Sequence, residues 1–193
     1  MRALAALWLA CLPALAALPG WWTAFLQAPS VEARFHQESE SLVFGKLRRE
    51  GRLLLARGGR LRVDYEGGLT VACDGRELIQ YDPDTRTAQR MEVARAVRDL
   101  PLLGLLLDPA RLGRLYSVQP LGGDRLRLVP REPDLPELEA TGRGRFLTGL
   151  AWTDPTGARQ TLTLLDPKTP GPLPATRFRV TLPQGTRWAT RNG

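Results

Sequence analysis

Cysteine, histidine and lysine are nearly missing from this chain of 193 residues, and each shortage removes a class of function. The two cysteines are Cys11 and Cys73. If an N-terminal segment containing Cys11 is cleaved, one thiol remains, and no intramolecular disulfide framework can form. His36 is the one histidine; with Glu32 and Glu38 it makes no HExxH spacing and reads as a surface strand residue. Cys73 has no histidine near it in sequence to serve as a base, so it reads as a small strand residue and not as a nucleophile. There is no Gly-x-Ser-x-Gly elbow, and no glycine-rich phosphate loop opens a helix. Asp82 and Asp84 lack the further oxygen ligands of a calcium loop. No catalytic set, cofactor or metal is therefore expected, and the chain does not read as an enzyme. No internal repeat is evident. Of 27 Lys and Arg residues only Lys46 and Lys168 are lysines. The arginines come singly along alternating stretches and not in runs, so the net charge of +7 reads as solvated strand faces and no nucleic-acid partner is expected.

What is present begins with a leader. Arg2 precedes the apolar stretch Ala3–Leu15, and Ala14-Leu15-Ala16 fits a small-x-small cleavage site. The run is shorter than the ~20 residues a bilayer-spanning helix needs. Residues 1–16 are thus expected to be a cleaved signal peptide and residues 17–193 a single exported domain. Lipidation at Cys11, which would anchor the chain, is the alternative.

The remainder alternates with period two. Val31, Ala33 and Phe35 alternate with polar residues, and Leu42–Ala56, Arg60–Tyr65, Leu69–Cys73, Leu78–Tyr81 and Thr87–Val93 follow as strands separated by Gly-Gly, Asp-Gly and Asp-Pro turns. Strands resume at Tyr116–Leu121, Leu126–Val129, Arg145–Thr153, Arg159–Leu165 and Thr176–Leu182, with a proline-rich loop over 130–136. Two stretches read as helical: Leu18–Ala28, with Trp22, Phe25 and Leu26 on one stripe, and residues 95–112, apolar and broken near Pro101 and Pro109. The second is either a buried core helix or a mobile cover. The fold class is mainly β with short α: a single curled antiparallel sheet of about eleven strands, an incomplete, open β-barrel covered by short lid helices.

Parity assigns Phe35, Leu53, Leu55, Leu61, Val63, Tyr65 and Val71 to an apolar inner face, with Leu102, Leu103 and Leu106 contributed by the cover. Arg57 shares the parity of Leu53 and Leu55, which puts a cation at the end of an apolar row. On these residues alone it reads as a strand-end residue snorkelling to water. An apolar inner face with no catalytic set suggests the burial of something greasy.

These residues also carry a family resemblance. Arg57-Gly58-Gly59-Arg60-Leu61-Arg62-Val63-Asp64-Tyr65 resembles the Arg-Pro-Gly-x-Phe-Arg-Trp-x-Tyr segment of the periplasmic outer-membrane lipoprotein carriers, the LolA-like proteins. Ala33-Arg34-Phe35-His36-Gln37 is similar to their Phe-x-Gln strand, Asp74-Gly75 with Tyr81-Asp82-Pro83 to their central hairpin, and Leu182-Pro183-Gln184-Gly185-Thr186 to their closing Pro-Pro-x-Gly. The family's proline after the arginine is Gly58 here, and its third-strand aromatic is Val63. The resemblance implies a soluble, monomeric periplasmic carrier with an open barrel whose cavity shields the acyl chains of lipoproteins. It would receive them from an inner-membrane lipoprotein-releasing ABC transporter and pass them to an outer-membrane acceptor. Arg57 would hold the lid shut by reaching carbonyls around Leu100–Leu107. A lipid-binding sensor, or an anchored acceptor on the same scaffold, is the alternative reading.

Overall fold

The computed structural model describes residues 17–43, 45–94, 106 and 112–189. The signal-peptide expectation for residues 1–16 lies outside these residues, as do Leu102 and Leu103.

A short helix, α1 (Gly20–Gln27), leads into β1 (Ser30–Ser41) and β2 (Gly45–Ala56), then β3 (Arg60–Tyr65), β4 (Thr70–Asp74), β5 (Glu77–Asp82) and β6 (Thr87–Glu92). A single turn, α2 (Leu112–Leu115), precedes β7 (Tyr116–Gly122), β8 (Arg125–Pro130), β9 (Leu138–Arg143), β10 (Phe146–Thr153) and β11 (Arg159–Lys168). A 3-10 turn (Ala175–Phe178) and the two-residue β12 (Arg187–Trp188) complete the described chain. All twelve strands form one sheet in the order β12-β6-β5-β4-β3-β2-β1-β11-β10-β9-β8-β7. Two antiparallel meanders are thus joined through β1 and β11, which pair from Glu32 opposite Lys168 to Glu40 opposite Arg159. β12 joins β6 in parallel. The outermost strands β7 and β12 are not paired with each other, so the sheet curls without closing.

The concave face holds the core. Phe35, Leu53, Leu55, Leu61, Cys73, Leu78, Leu126, Leu128, Leu138, Leu150 and Leu164 are all buried in one cluster, as period-two alternation requires. α1 fills one part of it with Trp21, Trp22 and Phe25. Trp21 meets Trp22 edge to face at 5.7 Å between ring centroids. Pro19 supplies the turn before the first helical residue, and the backbone N–H of Ala28 closes the helix onto the carbonyls of Ala24 and Phe25.

Two departures from the strand assignments have clear causes. β9 was not expected. Leu138, Ala140 and Gly142 do alternate with Glu139, Thr141 and Arg143, but two of the inward residues are too small to read as a strand face. Gly142 is small because the Trp21 indole lies against it, and a Cβ added there would clash with that ring. The expected strand Thr176–Leu182 is instead a 3-10 turn followed by irregular chain. It crosses the convex face of β2 and β3, where each strand already has two neighbours and no edge remains to accept a ladder. It is held by side chains. Phe178 is buried against Leu54 and Ala56 in a second, smaller cluster. Arg60 donates to the Leu173 carbonyl at 3.3 Å and Arg62 to the Arg179 carbonyl at 3.0 Å.

Candidate functional site

Strand direction sorts the loops into two groups. β1 ends, and β2 begins, at the same end of the sheet as the β3–β4 turn, the β8–β9 loop and the β10–β11 turn; the β2–β3 turn with Arg57 is at the other end. Inside the curl lies a cavity of about 660 Å³. Its walls come from β1 (Phe35, Gln37), β2 (Leu53), β3 (Leu61, Val63, Tyr65), β10 (Trp152) and β11 (Leu162), with Leu106 beside them. Its rim is Pro133–Pro136 of the β8–β9 loop and Thr153–Pro155 of the β10–β11 turn. The volume falls within the ~300–1,000 Å³ typical of small-molecule sites, and the lining is mostly apolar.

Six of the residues assigned inward by sequence line this cavity: Phe35, Leu53, Leu61, Val63, Tyr65 and Leu106. Leu55 and Val71 pack in or against the same core without lining it. Leu55 instead faces a narrow crevice with Phe25, Ala28, Val31, Arg57 and Leu106. Trp152 and Leu162 were not anticipated as cavity residues, although Leu150 with Trp152 and Leu162 with Leu164 share inward parities that point to them. The rim residues Pro133, Leu135 and Pro136 belong to a loop without a period, and no pattern could have marked them.

Few polar groups enter the cavity. Tyr65 stands edge to face on Phe35 at 5.3 Å, and its hydroxyl donates to Gln37 Oε1 at 3.2 Å. Burial pushes the Tyr65 phenol above its ordinary range, with Arg49 opposing weakly, so it stays neutral and hydrogen-bonding. Asp154 is committed to its own turn. It accepts from the Thr156 hydroxyl at 2.6 Å, from the backbone N–H groups of Thr156 and Ala158 at 2.9 and 3.1 Å, and from Gln160 Nε2 at 2.9 Å. These bonds, that from the Thr156 hydroxyl foremost, hold its carboxyl below the usual carboxylate range. A depressed folded-state value stabilises the protein above the unfolded value of about 3.9 and is lost as pH falls through the folded value. Asp154→Asn should therefore cost about 1 kcal/mol at pH 7, after allowance for its exposure, and flatten the loss of stability below about pH 4. Urea midpoints at pH 7 and pH 3 check this, and parallel pH dependence in both proteins would refute it.

Arg57 is half-buried. Its Nε donates to the Ala28 carbonyl at 2.9 Å, and its backbone N–H donates to Pro29 at 3.2 Å. The residue just after α1 thus receives a cation where the helix leaves carbonyls unpaired and its dipole is negative. The expected partners, the carbonyls of Leu100–Leu107, lie outside the described residues except for Leu106, whose buried side chain faces the same crevice as Arg57. The observed partner is the residue that caps the first helix, at the strand end away from the cavity rim.

Neither candidate nucleophile nor candidate base is placed for catalysis. Cys73 is fully buried, its thiol donates to the Gly59 carbonyl at 3.1 Å, and burial raises its pKa. His36 lies outside the cavity, where Nδ1 is 3.1 Å from Glu50 and the Arg48 guanidinium is alongside. Among the described residues no group of acidic, histidine and cysteine side chains could hold a metal, and no helix is long and apolar enough to cross a membrane.

A family model described as outer membrane lipoprotein carrier protein LolA matches residues 27–181, which contain every strand that lines the cavity. The chain belongs to the LolA family. An outer-membrane lipoprotein carrier protein of Chromohalobacter salexigens is 29% identical over 143 residues, 70% of this chain and 68% of that protein. One of Bordetella bronchiseptica is 29% identical over 121 residues, 60% of this chain and 57% of that protein. An uncharacterized conserved protein of Thermus thermophilus shares the fold, with a TM-score of 0.55 over 88% of this chain and 95% of that one at 12% identity. Carriers of this family are periplasmic lipoprotein-binding proteins and not enzymes.

Proposed function

We propose that this chain takes up the acyl chains of lipoproteins in the 660 Å³ cavity and carries them across the periplasm, from an inner-membrane ABC transporter to an acceptor in the outer membrane. The observation that carries this reading is the cavity wall: Phe35, Leu53, Leu61, Val63, Trp152 and Leu162 form one apolar surface in a chain of this family. Each buried CH₂ is stabilised by about 0.8 kcal/mol, so an acyl chain cannot cross water without such a shield. Residues 1–16 would be the removed export signal, and residues 17–193 one carrier domain acting as a monomer. Arg57 is the latch in this scheme. Its bond to the end of α1 is broken and remade as α1 moves aside for cargo.

The test uses the purified chain with a fluorescent fatty acid and with a triacylated lipoprotein. Val63 is half-buried and lines the cavity, so Val63→Asp is tolerated by the fold and places a carboxylate among apolar walls. Affinity for the probe should fall at least tenfold, because an unpaired charge there must either stay hydrated or exclude the chain. A photo-crosslinker at Val63 should capture the lipoprotein, while one at Arg62 on the convex side should not. Unchanged affinity, or equal capture at both positions, would refute the cavity as the acyl site.

A further inference from the structure

The most exposed apolar side chains of the described protein are gathered on one projection. β1 and β2 pair with each other along their whole length, from Ser30 opposite Ala56 to Ser41 opposite Gly45. On the other side of β2, β3 stops at Tyr65 opposite Gly51. Gly45–Arg49 are therefore laddered to β1 alone, so the β2 side of the hairpin runs on past β3 as an arm, while β1 stays paired with β11 as far as Glu40 opposite Arg159. Leu42 and Val43 at its tip are 108% and 80% exposed, and Leu47 behind them is 53% exposed. On either side of the tip the Val43 N–H donates to Ser41 Oγ at 3.2 Å, and Gly45 has φ +70. Side chains held in water in this way mark a contact surface.

The arm stands at the end of the sheet where the cavity is rimmed by Pro133–Pro136 and Thr153–Pro155. A groove of about 220 Å³ lined by Gln37, Ser39, Leu47, Arg49 and Gln160 runs along its inner side, and Gln37 also lines the cavity. Lys46, Arg48 and Arg49 follow the tip. Lys46 is paired with Glu40 at 3.5 Å and Arg48 with Glu50 at 2.8 Å, while Arg49 lies 6.0 Å from the Tyr65 ring centroid. Two apolar residues at a convex point with cations a few residues behind suit insertion at the acyl boundary, with the cations at headgroup level. A protein partner would need about 800 Å² of matching surface on each side, and the side chains of Leu42 and Val43 do not by themselves offer that.

We propose that the β1–β2 arm is a membrane prong: Leu42 and Val43 enter a lipid bilayer and seat the cavity rim on its surface. The purpose of the prong rests on the acyl-carrier reading, but its test does not. The full purified chain is floated with vesicles of phosphatidylethanolamine and phosphatidylglycerol, and its solution mass is measured by sedimentation. The wild-type protein should float with the vesicles, and Leu42→Asp/Val43→Asp should lower the bound fraction at least tenfold. The same variant should bind the fluorescent fatty acid in vesicle-free buffer within twofold of wild type, since neither residue lines the cavity. A wild-type protein that stays unbound, or a variant that floats equally well, overturns the proposal. So does a variant that converts a dimer to a monomer, because the tip would then be a contact between copies. Vesicle binding that depends on the tip in a protein unable to bind fatty acid would sink the carrier reading and leave the prong standing.

Discussion

Arg57→Leu should yield a folded carrier that loads normally and fails to unload. The guanidinium donates to the Ala28 carbonyl at the end of α1 and shares a crevice with Leu106, so it ties the first helix to the β2–β3 turn. A hydrogen bond from a charged donor contributes about 1.5–3 kcal/mol, and each 1.4 kcal/mol is a factor of ten in an equilibrium. Losing the tie removes that much preference for the empty, closed arrangement. Cargo would be bound about ten- to a hundredfold more tightly, and its transfer from purified carrier to outer-membrane vesicles would slow by a similar factor. Arg57→Lys should recover part of the rate, because a single ammonium can donate to Ala28 but cannot reproduce the planar fork. Single-turnover transfer of a labelled lipoprotein measures both variants. Wild-type rates in Arg57→Leu would reduce the residue to a snorkelling strand-end cation.

Gly142→Ala should be among the most damaging single methyl additions to this chain. Gly142 is buried on the inner face of β9, and its missing Cβ is the space occupied by the Trp21 indole. Trp21 is 1% exposed and packed edge to face on Trp22, so it cannot swing away without dislodging α1. Overpacking of an interior typically costs about 1–3 kcal/mol, and a rigid aromatic neighbour favours the upper end. Trp21→Ala alone should cost about 3–5 kcal/mol by emptying the same space. The two changes address one volume and should not add: in the Trp21→Ala background, Gly142→Ala should be nearly neutral. Urea denaturation of the four proteins of this cycle gives the coupling. Additive losses would show that α1 docks on β9 through other contacts.

Both predictions concern places where pattern and packing part company. Alternation marks Phe35, Leu53, Leu61, Val63 and Tyr65 as one surface, and all five line the cavity. Strand parity depends only on a residue's own chain and survives any arrangement of neighbours. The same rule should have exposed β9 through Leu138, Ala140 and Gly142. It failed there because Gly142 makes room for Trp21, more than a hundred positions away in sequence. The alternation of Phe178, Val180 and Leu182 misled for the converse reason. Only Phe178 found an apolar bed, on Leu54 and Ala56, and the strands beneath had no free edge to pair with. Arg57 stood out as a cation ending an apolar row, but its partner Ala28 could not be read, because a backbone carbonyl carries no side-chain signature.

The sequence by itself determined that this is a mainly antiparallel β protein with an apolar inner face and a helix before its first strand, because period, turn residues and residue types are local properties of the chain. Only the tertiary structure decided that β1 and β11 join the two meanders, that loops 133–136 and 153–155 rim one end of the cavity, that Arg57 reaches α1, and that Leu42 and Val43 project beyond the sheet. Each of these depends on which distant segments meet when a twelve-stranded sheet curls. That meeting is settled by the volume the core must fill and the edges the strands must pair, which no single stretch of sequence specifies.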